Sequence, residues 1–119
     1  MNESTFSVVL SSDATAVVRY ADGHTLVRVA GEVDECAAAT CETVVDLAAA
    51  RSEPVHVDLS DVTLFSAAGV TWLVRLYRHA VGGVQVVAAS EPVREVLRAC
   101  GTPTASRGGL PSPRQAALR

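Results

Sequence analysis

Val57-Asp58-Leu59-Ser60-Asp61-Val62-Thr63-Leu64-Phe65-Ser66-Ala67-Ala68-Gly69-Val70 reads as a strand that runs into a helix. Val55, Val57 and Leu59 alternate with His56, Asp58 and Ser60, the period of a strand with one apolar face. From Ala67 a helix is expected to Val81, with Ser66 as its N-cap and Gly82-Gly83 as its stop. Steps of about 100° place Val70, Leu73, Val74, Tyr77, Ala80 and Val81 on one broad face, the expected core side. Trp72 and Leu76 fall away from that face, with His79 beside them. Two readings of Trp72 follow: a contact residue, since Trp is enriched at interface hot spots, or a ring packed against the preceding helix.

Upstream, Ala16 to Tyr20 and Thr25 to Ala30 are β-branched runs separated by Ala21-Asp22-Gly23-His24. Asp-Gly between such runs is a hairpin signal, because Gly accepts the positive φ of the turn. Phe6 to Leu10 adds a strand or extends the first one. After Gly31-Glu32-Val33-Asp34 the composition switches to alanine, and Ala37, Cys41, Val44, Val45 and Ala48 recur at helical spacing. This predicts an amphipathic helix capped by Asp34 and ending near Arg51. Downstream, Val84 to Ala89 is a short apolar strand, and Ser90-Glu91-Pro92 opens a last helix, with Ser90 as N-cap, that ends near Gly101. The expected fold is therefore α/β, with helices flanking a mixed sheet of four to five strands: the hairpin is antiparallel and the two strand-helix-strand crossovers are parallel. Residues 1–101 form the domain. Residues 102–119 hold three prolines, Gly108-Gly109 and three arginines, the pattern of a disordered tail.

A chain of 119 residues suits one domain, and 49% hydrophobic against 4% aromatic residues means a core of Val, Leu and Ala. All ten basic residues are arginine, which with the Ala and Val content points to a high-GC bacterial genome. Residues 1–101 carry seven arginines against thirteen acids, so phosphate-rich partners such as nucleic acid or anionic lipid are disfavoured. There is no basic n-region with an apolar h-region at the start, and no apolar run approaches the ~20 residues of a membrane span. A cytoplasmic protein without membrane insertion is expected. Cys36, Cys41 and Cys100 lack CxxC spacing and read as buried free thiols. His24, His56 and His79 show no i,i+4 pair, and no GxxxxGK[ST] or GxGxxG occurs, so neither a metal, a cofactor nor a catalytic apparatus is indicated. Asp34, Asp58 and Asp61 are expected to gather at one end of the sheet as capping and solvated acids.

The quoted segment resembles the signature of STAS domains, the family of bacterial anti-sigma-factor antagonists, in which a strand ending D-L-S leads to a D-S-S-G-L helix start. Gly31-Glu32-Val33-Asp34 is similar to the family's G-E-L-D between the second strand and the first helix. The resemblance implies a partner-switching role in transcription regulation: an unphosphorylated antagonist binds an anti-sigma factor that is also a serine kinase, and phosphorylation of a serine at the second helix breaks the complex. A phosphate adds about -1.5 to -2 charges at a closely packed spot. Against D-S-S-G this chain has Ser66-Ala67-Ala68-Gly69, so Ala68 stands at the phosphoacceptor position and Ser66 at the Asp. Alanine has no hydroxyl. Ser66 then reads as an N-cap, or as a displaced phosphoacceptor. The partner-binding surface implied is Asp58, Ser60, Phe65, Ser66, Ala67, Ala68, Gly69, Trp72 and Leu76, with Gly69 allowing close helix packing. Other roles within the family's reach are a small subunit of an ABC-type membrane transport assembly and a ligand- or nucleotide-sensing domain. Self-association into a homodimer is compatible with the sequence.

Overall fold

A computed structural model of the chain describes residues 4–100. The elements in order are β1 (Ser4–Ser11), β2 (Ala14–Ala21), β3 (His24–Val33), α1 (Glu35–Ala49), β4 (Val55–Phe65), α2 (Ala67–His79), β5 (Val84–Ala89) and α3 (Glu91–Ala99). The five strands lie side by side in the order β1-β2-β3-β4-β5. The first two pairings are antiparallel and the last two parallel. The mixed α/β sheet is thus as expected, and the run at Phe6 is a full first strand. The expected tail at 102–119 lies outside the described residues.

Two glycines fix the corners. Gly23 takes φ 84° in the β2–β3 turn, as the Asp-Gly pair anticipates. Gly31 takes φ 99°, and a Cβ there would sit 2.0 Å from the carbonyl oxygen of Asp13. Both conformation and space therefore demand glycine. The Glu32 N–H donates to that same Asp13 oxygen at 2.9 Å, pinning the Gly-Glu-Val-Asp segment to the β1–β2 turn.

Alternation on the strands sends Ala16, Val18, Val27, Val29, Val55, Val57, Leu59, Val84 and Val86 into one core with residues of all three helices. Each fully buried Val or Leu contributes about 1.5–3 kcal/mol. The opposite sheet face carries Val17, Arg28, His56, Asp58 and Gln85, with none of them fully buried. α1 buries Ala37, Cys41, Val44, Val45 and Ala48, as its spacing predicts, and the Asp34 carboxylate caps it by accepting from the Ala37 N–H at 3.1 Å.

Several expectations are corrected. α2 turns Gly69, Trp72, Leu73 and Leu76 inward, while Val74 and Val81 are exposed, so its buried stripe is rotated by roughly one residue's step from the expected one. Trp72 and Leu76 are core residues at 3% and 0% exposure. The cause is Gly69, which occupies the buried line without an apolar side chain to mark it in the sequence. Ser90 stands at the N-cap position of α3, but its hydroxyl donates to the Val62 carbonyl at 2.6 Å instead of capping. Of the three thiols only Cys41 is buried; Cys36 and Cys100 lie outside the inward stripes of α1 and α3 and are exposed.

Candidate partner-binding site

The junction of β4 and α2 is locked from three sides. The Ser66 N–H donates to the Val33 carbonyl at 3.0 Å, joining the helix start to the end of β3. Ser66 itself has extended backbone, and its hydroxyl accepts from the Ala68 N–H at 3.2 Å, the N-cap role expected of it. Phe65, 4% exposed, slides its ring beneath the first turn of α2, where a Cβ on Gly69 would meet its Cε1 at 2.7 Å. Gly69 thus serves close packing. Ala67 is left exposed and Ala68 half-buried at the helix start.

Beside Ala68, α1 and α2 enclose a notch of about 200 Å³, lined by Ala38 and Glu42 of α1 and by Ala68, Thr71, Trp72 and Arg75 of α2. This is below the roughly 300–1,000 Å³ of small-molecule sites. The Arg75 guanidinium closes one side by donating twice to the Glu42 carboxylate, at 3.0 and 2.5 Å. That hydrogen bond holds the Glu42 carboxyl below its usual range and raises the Arg75 guanidinium. The indole Nε1 of Trp72 is buried with no hydrogen-bond partner among the described residues. Trp72 thus packs between the two helices, the second of the readings its position allowed.

Asp58 and Ser60 stand elsewhere. Asp58 pairs in register with Arg28 on the sheet face away from the helices, and about 23 Å of strand separates it from Phe65. Its Oδ1 accepts from the Ser60 N–H at 2.9 Å and from the Ser60 hydroxyl at 2.6 Å, while Arg28 Nε lies 3.4 Å from Oδ2. Burial opposes ionisation, but the Ser60 hydrogen bonds and Arg28 outweigh it, so the carboxyl is held below its ordinary value. The structure therefore does not bring Asp58 and Ser60 to the Ser66–Gly69 surface. Nor do the three acids gather: Asp58 lies opposite Arg28, Asp61 opposite Ala30, and Asp34 follows Val33, which lies opposite Phe65. Among the described residues no group of three or more His, Cys, Asp or Glu is placed to hold a metal ion, and no helix is long and apolar enough to cross a membrane.

One feature escaped sequence reasoning. His24 and His56 stack with ring centroids 4.8 Å apart on the helix-free face. Burial, then the charge of His24, lowers the His56 pKa. Only the β3–β4 register, which sets Leu26 beside His56, could have revealed the pair.

A mixed five-stranded sheet flanked by three helices, with α2 capped by Ser66 at the end of β4, is the arrangement of a STAS domain. The chain belongs to this family: the family profile described as "Mlab, STAS domain" matches residues 16–104. A crystal structure of an anti-sigma factor antagonist from Mycobacterium paratuberculosis is similar at a TM-score of 0.67 and 28% identity, covering 74% of this chain and 78% of that one. No curated protein matches the sequence.

Proposed function

We propose that this chain is a non-catalytic, cytoplasmic interaction module of the anti-sigma-factor-antagonist kind, which binds an anti-sigma factor or related serine-kinase-fold regulator through the start of α2. The observation that carries the reading is Ala68: it is the second residue of α2, at the mouth of the notch, where the family's resemblance puts a phosphoacceptor. A methyl group there keeps the surface in its unphosphorylated, binding form, so control falls to abundance or to the partner. Ser66, Ala67 and Ala68 form the contact, with Phe65, Gly69, Trp72 and Leu76 buried behind them as support. Asp58 and Ser60 shape the strand that delivers the helix. An acidic body fits a protein partner better than nucleic acid.

Ala68→Asp tests this. A carboxylate in the first turn of α2 suits the helix dipole, contributing about 0.3–1 kcal/mol, so the fold is retained while the surface acquires the charge of a switched-off antagonist. Wild type should retain the native partner in affinity capture, Ala68→Ser should retain it until a partner kinase and ATP phosphorylate the new hydroxyl, and Ala68→Asp should lose it at an undiminished melting temperature. Undiminished capture by Ala68→Asp would remove the α2 start from the interface. Stoichiometric phosphate on Ser66 of the wild type would overturn the permanently unswitched state, and recovery of a transport ATPase would move the chain to the transport-assembly role.

A further inference from the structure

The uncharged edge of the sheet offers a surface that the α2 site does not use. β1, Ser4-Thr5-Phe6-Ser7-Val8-Val9-Leu10-Ser11, contains neither a charged residue nor a proline, and among the described residues nothing pairs with its outer edge. Proteins ordinarily blunt such edges with charge, proline, a bulge or a covering element, because unpaired backbone groups in a flat strand recruit another strand. The one irregularity of β1 lies at its far end, between Val9 and Ser11. Val9 is 71% and Phe6 38% exposed.

The flank above this edge carries little charge: Arg51 lies 5.0 Å from the centre of the Tyr20 ring, and Glu53 pairs with it at 3.5 Å. The Phe6 ring meets Tyr20 edge-on at 5.4 Å, and the Tyr20 hydroxyl donates to the Leu47 carbonyl at 2.5 Å, which brings that side of α1 over β1. Cys36, Thr40, Thr43 and Leu47 share it at helical spacing. The acids of α1 look the other way: Glu42 binds Arg75, and Asp46 adds its charge to the same guanidinium.

We propose that β1 and this flank of α1 are a self-association surface, on which two copies join β1 to β1 antiparallel around a two-fold axis into one ten-stranded sheet. The charge distribution selects a second copy as the occupant. With seven arginines against thirteen acids in residues 1–101, two copies carry like net charge and approach at least cost where both are uncharged. Antiparallel pairing of identical strands is self-complementary: residues of like parity meet, so Phe6, Val8 and Leu10 face their own kind and the axis closes the assembly. The eight-residue strand spans about 27 Å. A strip of that length buries less than the roughly 1,600 Å² of a standard interface, so the dimer exchanges with monomer as concentration changes.

Sedimentation of the full chain from about 5 to about 500 µM tests the proposal. The weight-average mass of the wild type should climb from monomer toward dimer. Ser7→Lys/Val9→Lys places like charges across the seam on the exposed, helix-free side of β1, and should weaken association at least tenfold at unchanged circular dichroism. Gln85→Lys, the same charge on the exposed side of β5 at the opposite end of the sheet, should behave as wild type. A wild type that stays monomeric throughout overturns the proposal, as does a double-lysine variant that still dimerises. Growth past the dimer would rule out the closed two-fold pairing.

Discussion

Replacing Gly69 by alanine sets two effects of known size against each other. Gly69 lies in the first turn of α2, where alanine is favoured by at most the roughly 1 kcal/mol it gains in a helix interior. A Cβ there would stand 2.7, 2.9 and 3.1 Å from Cε1, Cδ1 and Cζ of Phe65. The Phe65 ring is 4% exposed and has little room to retreat, so the contact is relieved only by an off-rotamer ring or a shift of the helix. Overpacking of this kind costs typically 1–3 kcal/mol. The net expectation is a loss of about 1 kcal/mol, or roughly 5 °C in melting temperature for a domain of this size. Urea titration of four chains settles the sign: wild type, Gly69→Ala, Phe65→Leu and the double variant. With the ring removed, the helix preference should reappear, so Gly69→Ala should stabilise the Phe65→Leu background while destabilising the wild type. Stabilisation in both backgrounds would refute the claim that Phe65 is what requires glycine at this position.

Trp72→Phe should cost far less than the 3–5 kcal/mol typical of Trp→Ala, because it removes a buried N–H whose lack of a partner costs about 1–3 kcal/mol; paired urea midpoints check it. His56 binds a proton less readily when folded than its unfolded value of 6.5, so its stabilisation is complete above that value and is lost as pH falls through the lowered folded one. The urea midpoint should therefore drop between about pH 7.5 and about pH 5, and the drop should shrink in His24→Gln, which removes the neighbouring charge. Burial pushes the Cys41 thiol up to about 12, with Glu42 adding to it, so a thiol reagent at neutral pH should label Cys36 and Cys100 at once and Cys41 only on unfolding.

Local chemistry was legible where a residue acts on its neighbours. Asp34 and Ser66 announced themselves as N-caps, Asp22-Gly23 as a turn, and the Ala37-to-Ala48 spacing as a buried stripe, and all hold in the structure. Partnerships across the chain were not legible. The inward face of α2 was misplaced because a buried glycine carries no hydropathic signal, and Trp72, polar at one atom only, looked free to turn outward. Ser90 was expected to cap α3, yet the better acceptor was a carbonyl on β4, 28 residues away. The separation of Asp58 from Ser66 follows from the length and pleat of β4, which put neighbours in sequence on opposite faces and far apart.

The strand order also decides on which side of the sheet the helices lie. A right-handed crossover that always steps the same way along the sheet lays every helix on the same side, and β3, β4 and β5 advance without turning back. Doubly wound sheets, by contrast, start near the middle and wind outward both ways, and the crevice at the reversal is where they seat nucleotides. With no reversal between β3, β4 and β5, the crevice that forms at such a point is not built into this sheet.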